Sequence, residues 1–342
     1  MFRKSFLAFP QIFWGYFGEH LVLALSLLLK KYQSHFTISL TEFAHTLQRV
    51  SLANTDHDVQ DLALTIHPTT GRNMNQTDPA PQTPSSNWRL QWSMFNYDAT
   101  IQFKEWIAPA TLETFRGRDV LECGCGGGDH TFMVADLART LTAVDLNTAE
   151  LARSRNKQYT NIEFVEADLA TMNLGRCFDV AFCVGVIHHT DNPTRTFENI
   201  YRHLKPGGAL IIYGYAAEGN WPMRLIVEPT RRILIRHLPR WLVLIISIML
   251  TAALYPIVHT LYRLPIANKL PYYQFFFSFR KFEWRRNLLD TYDKLSAPQQ
   301  QFLTRQACDS WMTSERFEAP SISIRHHLGV CWSLVGIKSA AH

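Results

Sequence analysis

Val120-Leu121-Glu122-Cys123-Gly124-Cys125-Gly126-Gly127-Gly128-Asp129 decides the fold of this chain. An apolar run ends in a glycine-rich turn, and a helical pattern follows at once (129–138). Glycines let a backbone adopt positive φ and approach a ligand closely. The amides exposed at the turn and the helix start then meet the polar groups of that ligand. Cys123 and Cys125 invite a metal reading, but the neighbouring glycines make them small residues of a tight turn.

Working outward, strands are predicted at 119–123, 141–145, 162–166, 178–184 and 208–214, with helices at 129–138, 148–158 and 194–204. Strand–helix alternation of this kind implies a parallel sheet with helices on both faces. The second strand closes on Asp145, about twenty residues past the turn, where an acid hydrogen-bonds ribose hydroxyls. Asp168 ends the third strand, in reach of an adenine amino group. The fourth strand runs into Gly185-Val186-Ile187-His188-His189, and Leu204-Lys205-Pro206-Gly207-Gly208 turns into the fifth. A helix at about 298–315 and strands near 320–326 and 330–337 complete the pattern.

In this order the motifs resemble the class I, Rossmann-like S-adenosylmethionine-dependent methyltransferases, in the branch that includes quinone-biosynthesis and small-molecule enzymes. The likeness covers 88–214 well and 298–337 loosely. It implies an α/β fold: a seven-stranded, mostly parallel Rossmann-like sheet, with a helical N-terminal extension and an apolar helical insertion between strands five and six. It also implies S-adenosyl-L-methionine as cofactor. In that family the E-x-G-x-G-x-G turn holds the methionine part, matched by Glu122, Gly124, Gly126 and Gly128 with Cys125 between them. Asp145 matches the ribose acid, Leu146 the residue packed on adenine, and Asp168 the adenine acid. The same resemblance adds Leu169 and Gly185 to the cofactor set. A nicotinamide or flavin domain would require G-x-G-x-x-G, and counting from Gly124 its third glycine falls on Asp129.

Five segments are expected: a helical extension (1–65), a linker rich in Pro, Thr, Asn, Gln and Ser (66–87), the core (88–214), an apolar cap (215–297) and a C-terminal helix with two strands (298–342). Only 18% of the 342 residues are charged against 47% hydrophobic, so apolar surface with a purpose is expected. A net charge of +5 without a basic stripe excludes a nucleic-acid partner. Six cysteines without CxxC spacing read as reduced thiols in the cytoplasm. Pro10, Gly15, Gly18, Glu19 and His20 interrupt the apolar N-terminal run, so no signal peptide is read there. Trp88, Arg89, Trp92, Phe95 and Tyr97 suggest an amphipathic helix packed on the sheet or lidding the cofactor.

His188 and His189 follow strand four, at the carboxyl edge where ligands bind. Either is a candidate base, or they shape the pocket wall. His326 and His327 read as surface residues at a strand end. No metal site is expected, since neither doublet has matching ligands. Residues 241–258 carry no charge over 18 positions. Three readings stay open: a buried cap helix, a helix in the membrane interface with contact through 233–262, or a subunit interface. The first two point to a small apolar acceptor, methylated at oxygen, carbon or nitrogen; the second makes the protein peripheral on the cytoplasmic membrane face. Leu289 to Pro298 resembles a segment of related methyltransferases, and two readings of Asp290, Tyr292 and Asp293 stay open: they border the acceptor pocket or serve as ordinary helix caps. A module that keeps the fold without turnover, serving binding or assembly, is the competing reading. The sequence leaves the oligomeric state open.

Overall fold

The computed structural model describes Trp88, Gln91, Trp92 and residues 100–340. The expected extension (1–65) and linker (66–87) lie outside the described residues, as do Arg89, Phe95 and Tyr97. The core runs α1 (Thr100–Ile107), β1 (Asp119–Cys123), α2 (Asp129–Ala135), β2 (Thr140–Asp145), α3 (Ala149–Arg155), β3 (Ile162–Glu166), β4 (Phe178–Val184), α4 (Pro193–Arg202) and β5 (Leu204–Tyr215). The cap follows as α5 (Glu228–Ile233), α6 (Arg240–His259), α7 (Tyr273–Phe279) and α8 (Trp284–Ser296). The chain then returns through α9 (Arg305–Trp311), β6 (Ser323–His327) and β7 (Cys331–Ile337).

The seven strands lie in the order β3-β2-β1-β4-β5-β7-β6, parallel from β3 to β5, with β7 antiparallel to both its neighbours. Each strand sends alternate residues to opposite faces. On one face Leu121, Leu210 and Ile212 pack with Phe197 and Trp311. On the other, Val120, Phe182 and Ile211 pack with Phe103 and Phe115. Helix starts follow local chemistry. Asn192 caps α4 by accepting from the Arg195 amide at 3.0 Å, with Pro193 in the first turn, where its missing N–H costs nothing.

The C-terminal helix and one histidine depart from the sequence expectation. The helix expected over 298–315 is only α9, capped by Thr304, whose hydroxyl accepts from the Ala307 amide at 3.1 Å. Residues 299–303 run extended instead: the Gln301 amide donates to the His188 carbonyl and the Leu303 amide to that of Tyr215, both at 2.8 Å. His327 is not a surface residue. Strand alternation turns it inward, against the Tyr213 hydroxyl at 3.0 Å, while His326 stays exposed beside Trp332.

The cap has its own core. Val243, Ile248, Ala252, Tyr255 and Val258 of α6 meet Trp284, Leu288, Tyr292 and Leu295 of α8. Tyr292 is therefore a packing residue here rather than a pocket wall. Ser247 and Thr251 sit on the buried stripe of α6, yet their hydroxyls donate to the carbonyls four residues back, so neither goes unsatisfied. Asn287 locks the layers by donating to the Tyr255 hydroxyl and the Phe279 carbonyl, both at 3.0 Å. Length and composition would let α6 cross a membrane, but half of it is buried in the protein. A single crossing would also part β5 from β7, which pair from Ala209↔Ile337 to Tyr215↔Cys331.

Candidate cofactor and acceptor site

The turn after β1 is held open by hydrogen bonds from the Gly124 and Cys125 amides to the Val144 carbonyl, at 2.7 and 3.1 Å. Gly124 has φ +86°, and a Cβ there would stand 2.4 Å from Val186 Cγ2. Gly126 has φ +52°, and its Cβ would meet the Trp92 ring at 2.9 Å. Neither position admits a side chain, which is why the motif demands glycine. Trp92 lies against this turn, and its carbonyl accepts from Arg155 at 2.8 Å.

Asp145 binds the turn to β2. Its Oδ2 accepts from the Gly126 amide, and its Oδ1 accepts from the amides of Asn147 and Thr148, all at 3.0 Å. Leu146 beside it is 53% exposed, an apolar surface for a flat ring. Asp168 is exposed at the end of β3 and accepts from the Ala170 amide at 2.9 Å. Glu122 is buried beneath the turn. Its Oε2 accepts from the Thr131 hydroxyl at 2.6 Å, while Oε1 has no protein partner. Burial pushes its carboxyl up to about 8. Asp129 opens α2, also raised by burial, with Arg155 opposing. A buried carboxylate oxygen without a partner calls for a cationic or donor group from a ligand. The residues present therefore fit S-adenosylmethionine, whose ammonium would meet Asp129 at the cavity wall with Glu122 behind it, whose ribose would meet Asp145, and whose adenine would lie between Leu146 and Asp168.

One cavity of about 890 Å³ gathers Gly124, Cys125, Gly126, Asp145, Leu146, Asp168, Leu169, Gly185, His188 and His189. Glu122 and Gly128 do not line it; they support the turn from behind. Gly128, at φ +86°, starts α2, with its carbonyl accepting from Asn156 at 3.0 Å. The far wall belongs to the cap: Phe275, Phe276, Phe279, Phe282 and Asp293. Cys125 is pushed well above its ordinary value by burial, so it stays a neutral thiol. Among the described residues no group of three His, Cys, Asp or Glu side chains could hold a metal.

The two histidines differ. His188 is fully buried, its ring nitrogens lack protein partners, and it tilts over Tyr215 at 4.0 Å. His189 is anchored. Its Nδ1 lies 2.9 Å from the Gln299 carbonyl, which fixes the proton on Nδ1 and leaves the Nε2 lone pair free. Nε2 faces Asp293 Oδ2 at 3.9 Å. Asp293 in turn accepts from Gln91 Nε2 at 2.8 Å and from the Tyr215 hydroxyl at 3.3 Å. Burial lowers both imidazoles; Asp293 opposes this at His189. Both rings are therefore neutral at pH 7.

Sequence reasoning missed Thr131, Gln299, Arg286 and Lys294. Arg286, Asp290 and Lys294 recur every four residues on α8, a pattern ordinarily found on solvated faces. Here Lys294 donates to Asp290 at 2.5 Å and Arg286 stands 3.7 Å from it, all three inside the cavity wall.

Comparison with known proteins agrees with this geometry. Residues 121–212 match the family described as methyltransferase domain. An uncharacterized protein of Synechococcus is 31% identical over 153 residues, 42% of this chain and 34% of its own. A ubiquinone biosynthesis O-methyltransferase of Pseudomonas fluorescens is 31% identical over 97 residues, 27% of this chain and 42% of its own. The chain thus spans well under half the length of these curated relatives. Among solved structures, an O-methyltransferase family protein of Burkholderia thailandensis superposes with a TM-score of 0.45 at 12% identity, covering 76% of this chain and 60% of its own. The segment that carries the glycine turn, both downstream acids and the histidine doublet is a class I, S-adenosylmethionine-dependent methyltransferase domain.

Proposed function

We propose that this protein transfers the methyl group of S-adenosylmethionine to an oxygen, carbon or nitrogen of a small apolar acceptor. The observation that carries this reading is one shared cavity, in which the glycine turn and Asp145 face a wall of cap phenylalanines. The cofactor supplies an activated methyl on a sulfonium centre. The chain supplies orientation, exclusion of water and a base. His189 is that base: its Nε2 lone pair takes the acceptor's proton, and the Asp293 carboxylate stabilises the imidazolium that results. His188, without anchoring bonds, shapes the floor. Calorimetry with S-adenosylmethionine separates this reading from a module without turnover only together with a labelled-methyl assay. Phenols, quinols and lipids make the acceptor panel. Binding without label transfer to any of them favours the module; failure to bind removes both readings.

We also propose that the cap rests on an anionic membrane surface, with a peripheral, cytoplasmic location. Trp221, Leu225, Ile226, Ile233 and Leu234 are 54–70% exposed within a short stretch of chain, and Arg224, Arg232 and Arg236 are exposed among them. Apolar side chains flanked by arginines suit an interface of acyl chains and phosphate headgroups. The supporting stretch is shifted from that expected on sequence, since much of α6 faces α8. The wild type is expected to sediment with phosphatidylglycerol vesicles. A variant with Leu225, Ile226, Ile233 and Leu234 changed to Ser is expected to stay in the supernatant. Equal partitioning of the two would remove the membrane reading.

A further inference from the structure

We propose that Arg286 of the cap binds the carboxylate of the cofactor's amino-acid part, so that the cofactor site is completed only when the cap is in place. This rests on the cavity being an S-adenosylmethionine site. The methionine part of that ligand is a zwitterion. On the core side its ammonium finds Asp129 at the start of α2, whose Oδ2 has no protein partner, while Glu122 lies behind the turn outside the cavity. Its carboxylate needs a cation. Among the described residues, the only Lys or Arg side chains lining the cavity are Arg286 and Lys294.

Their surroundings distinguish them. Lys294 is bound to Asp290 at 2.5 Å, lies over the rings of Tyr215 and Phe275, and acts electrostatically on His188 and His189. It belongs to the histidine end. Arg286 sits with its Cζ 5.9 Å from the Trp106 ring. Trp106 stacks on Tyr213 at 5.1 Å and meets the edge of His130 at 5.9 Å. His130 is the second residue of α2, next to Asp129 and directly after the glycine turn. Arg286 also acts on the charge of His130 across this gap.

Sheet order gives the direction. The ribose acid is on β2 and the adenine acid follows β3, so the nucleoside runs toward that edge. The amino-acid tail must therefore point the other way, over β1, β4 and β5, where Tyr213 and Arg286 are found. A guanidinium is suited to this task because its planar fork grips a carboxylate with two parallel hydrogen bonds. Asp290 pairs with the arginine at 3.7 Å on the same helix and orients its fork.

The test uses two ligands that differ in the group at issue. S-adenosylhomocysteine carries the carboxylate; 5′-methylthioadenosine keeps the nucleoside and sulfur but lacks the amino-acid part. Calorimetry on Arg286→Gln should show at least about tenfold weaker binding of S-adenosylhomocysteine, the loss of a charge-assisted pair. Affinity for 5′-methylthioadenosine should be unchanged, and Arg286→Lys should recover part of the loss. Equal weakening for both ligands would mean that Arg286 acts through cap packing, and would overturn the proposal. So would undiminished binding of S-adenosylhomocysteine. If the wild type binds 5′-methylthioadenosine but Arg286→Gln gives neither signature, only this inference falls. If the wild type binds neither ligand, the methyltransferase reading falls with it.

Discussion

Core and cap build one cavity by opposite means. The core side is backbone: a turn held by amides, glycines with no room for a Cβ, and one carboxylate tied to three N–H groups. The cap side is side chain: phenylalanines, a partly buried Arg–Asp–Lys series and Asp293. Backbone geometry tolerates little exchange of residue type, whereas an aromatic wall can be repacked at constant volume with small cost. A rigid half for an invariant ligand therefore faces an adaptable half for a variable one.

If that contrast holds, the largest effect comes from the core. Asp145→Ala removes the acceptor assigned to the ribose hydroxyls as well as three backbone bonds. Hydrogen bonds to a charged group are worth ~1.5–3 kcal/mol each, so affinity for S-adenosylhomocysteine should fall by ~100-fold or more in calorimetry. Unchanged affinity would dissolve the contrast and the cofactor assignment together.

The second effect lies where the halves meet. His189→Ala should lower kcat by ~10²–10⁴ with an active acceptor, with cofactor affinity preserved. Burial holds this imidazole below its ordinary 6.5, and in the proposed mechanism the neutral ring is the base. Activity should therefore be flat above pH 6.5 and decline as pH falls through the lowered value. A profile without that acidic limb would reassign His189 to the pocket wall.

The smallest effect is a proton count. Glu122 titrates at about 8 in the folded protein against 4.5 when free, so at pH 7 it is mostly protonated. Its contribution to stability is full below 4.5 and is lost as pH rises through about 8. An ammonium seated at Asp129, in front of the turn that covers Glu122, favours the carboxylate through space. Binding of S-adenosylhomocysteine at pH 7 should release up to about one proton, read from binding enthalpies in buffers of different ionisation heat. Glu122→Gln should abolish the release, and so should pH 9. Proton uptake instead would place the ammonium elsewhere.

Strands were legible where alternation and glycine punctuation agree. Residues 119–123, 162–166 and 178–184 carry both signals and form β1, β3 and β4 at those limits. β5 starts four residues before its expected onset because Lys205-Pro206-Gly207-Gly208 reads as a turn. The ladder absorbs it as an irregularity between the Phe178↔Leu204 and Val180↔Ala209 pairs. The false helix at 298–304 has another cause. Gln299, Gln301 and Leu303 take up bonds to the histidine loop and β5, and such long-range partners leave no local trace. The cavity residues follow the same division. Glu122, Gly124, Asp145 and Asp168 stand at the ends of three successive strands, where local pattern marks each. Arg286 and Lys294 are visible only once a helix more than a hundred residues away folds back over the turn.

Ala216 and Leu303 form a bridge where the chain leaves the sheet and where it comes back. The two roots of the cap are thus side by side, and residues 217–302 form an excursion that begins and ends at one point. A segment attached in this way can be exchanged for another of different length without disturbing a single pairing of the sheet. New acceptor preferences would then arise by grafting at this junction rather than by altering the strands. Any graft that discards α8 must carry its own positive charge to the neighbourhood of His130.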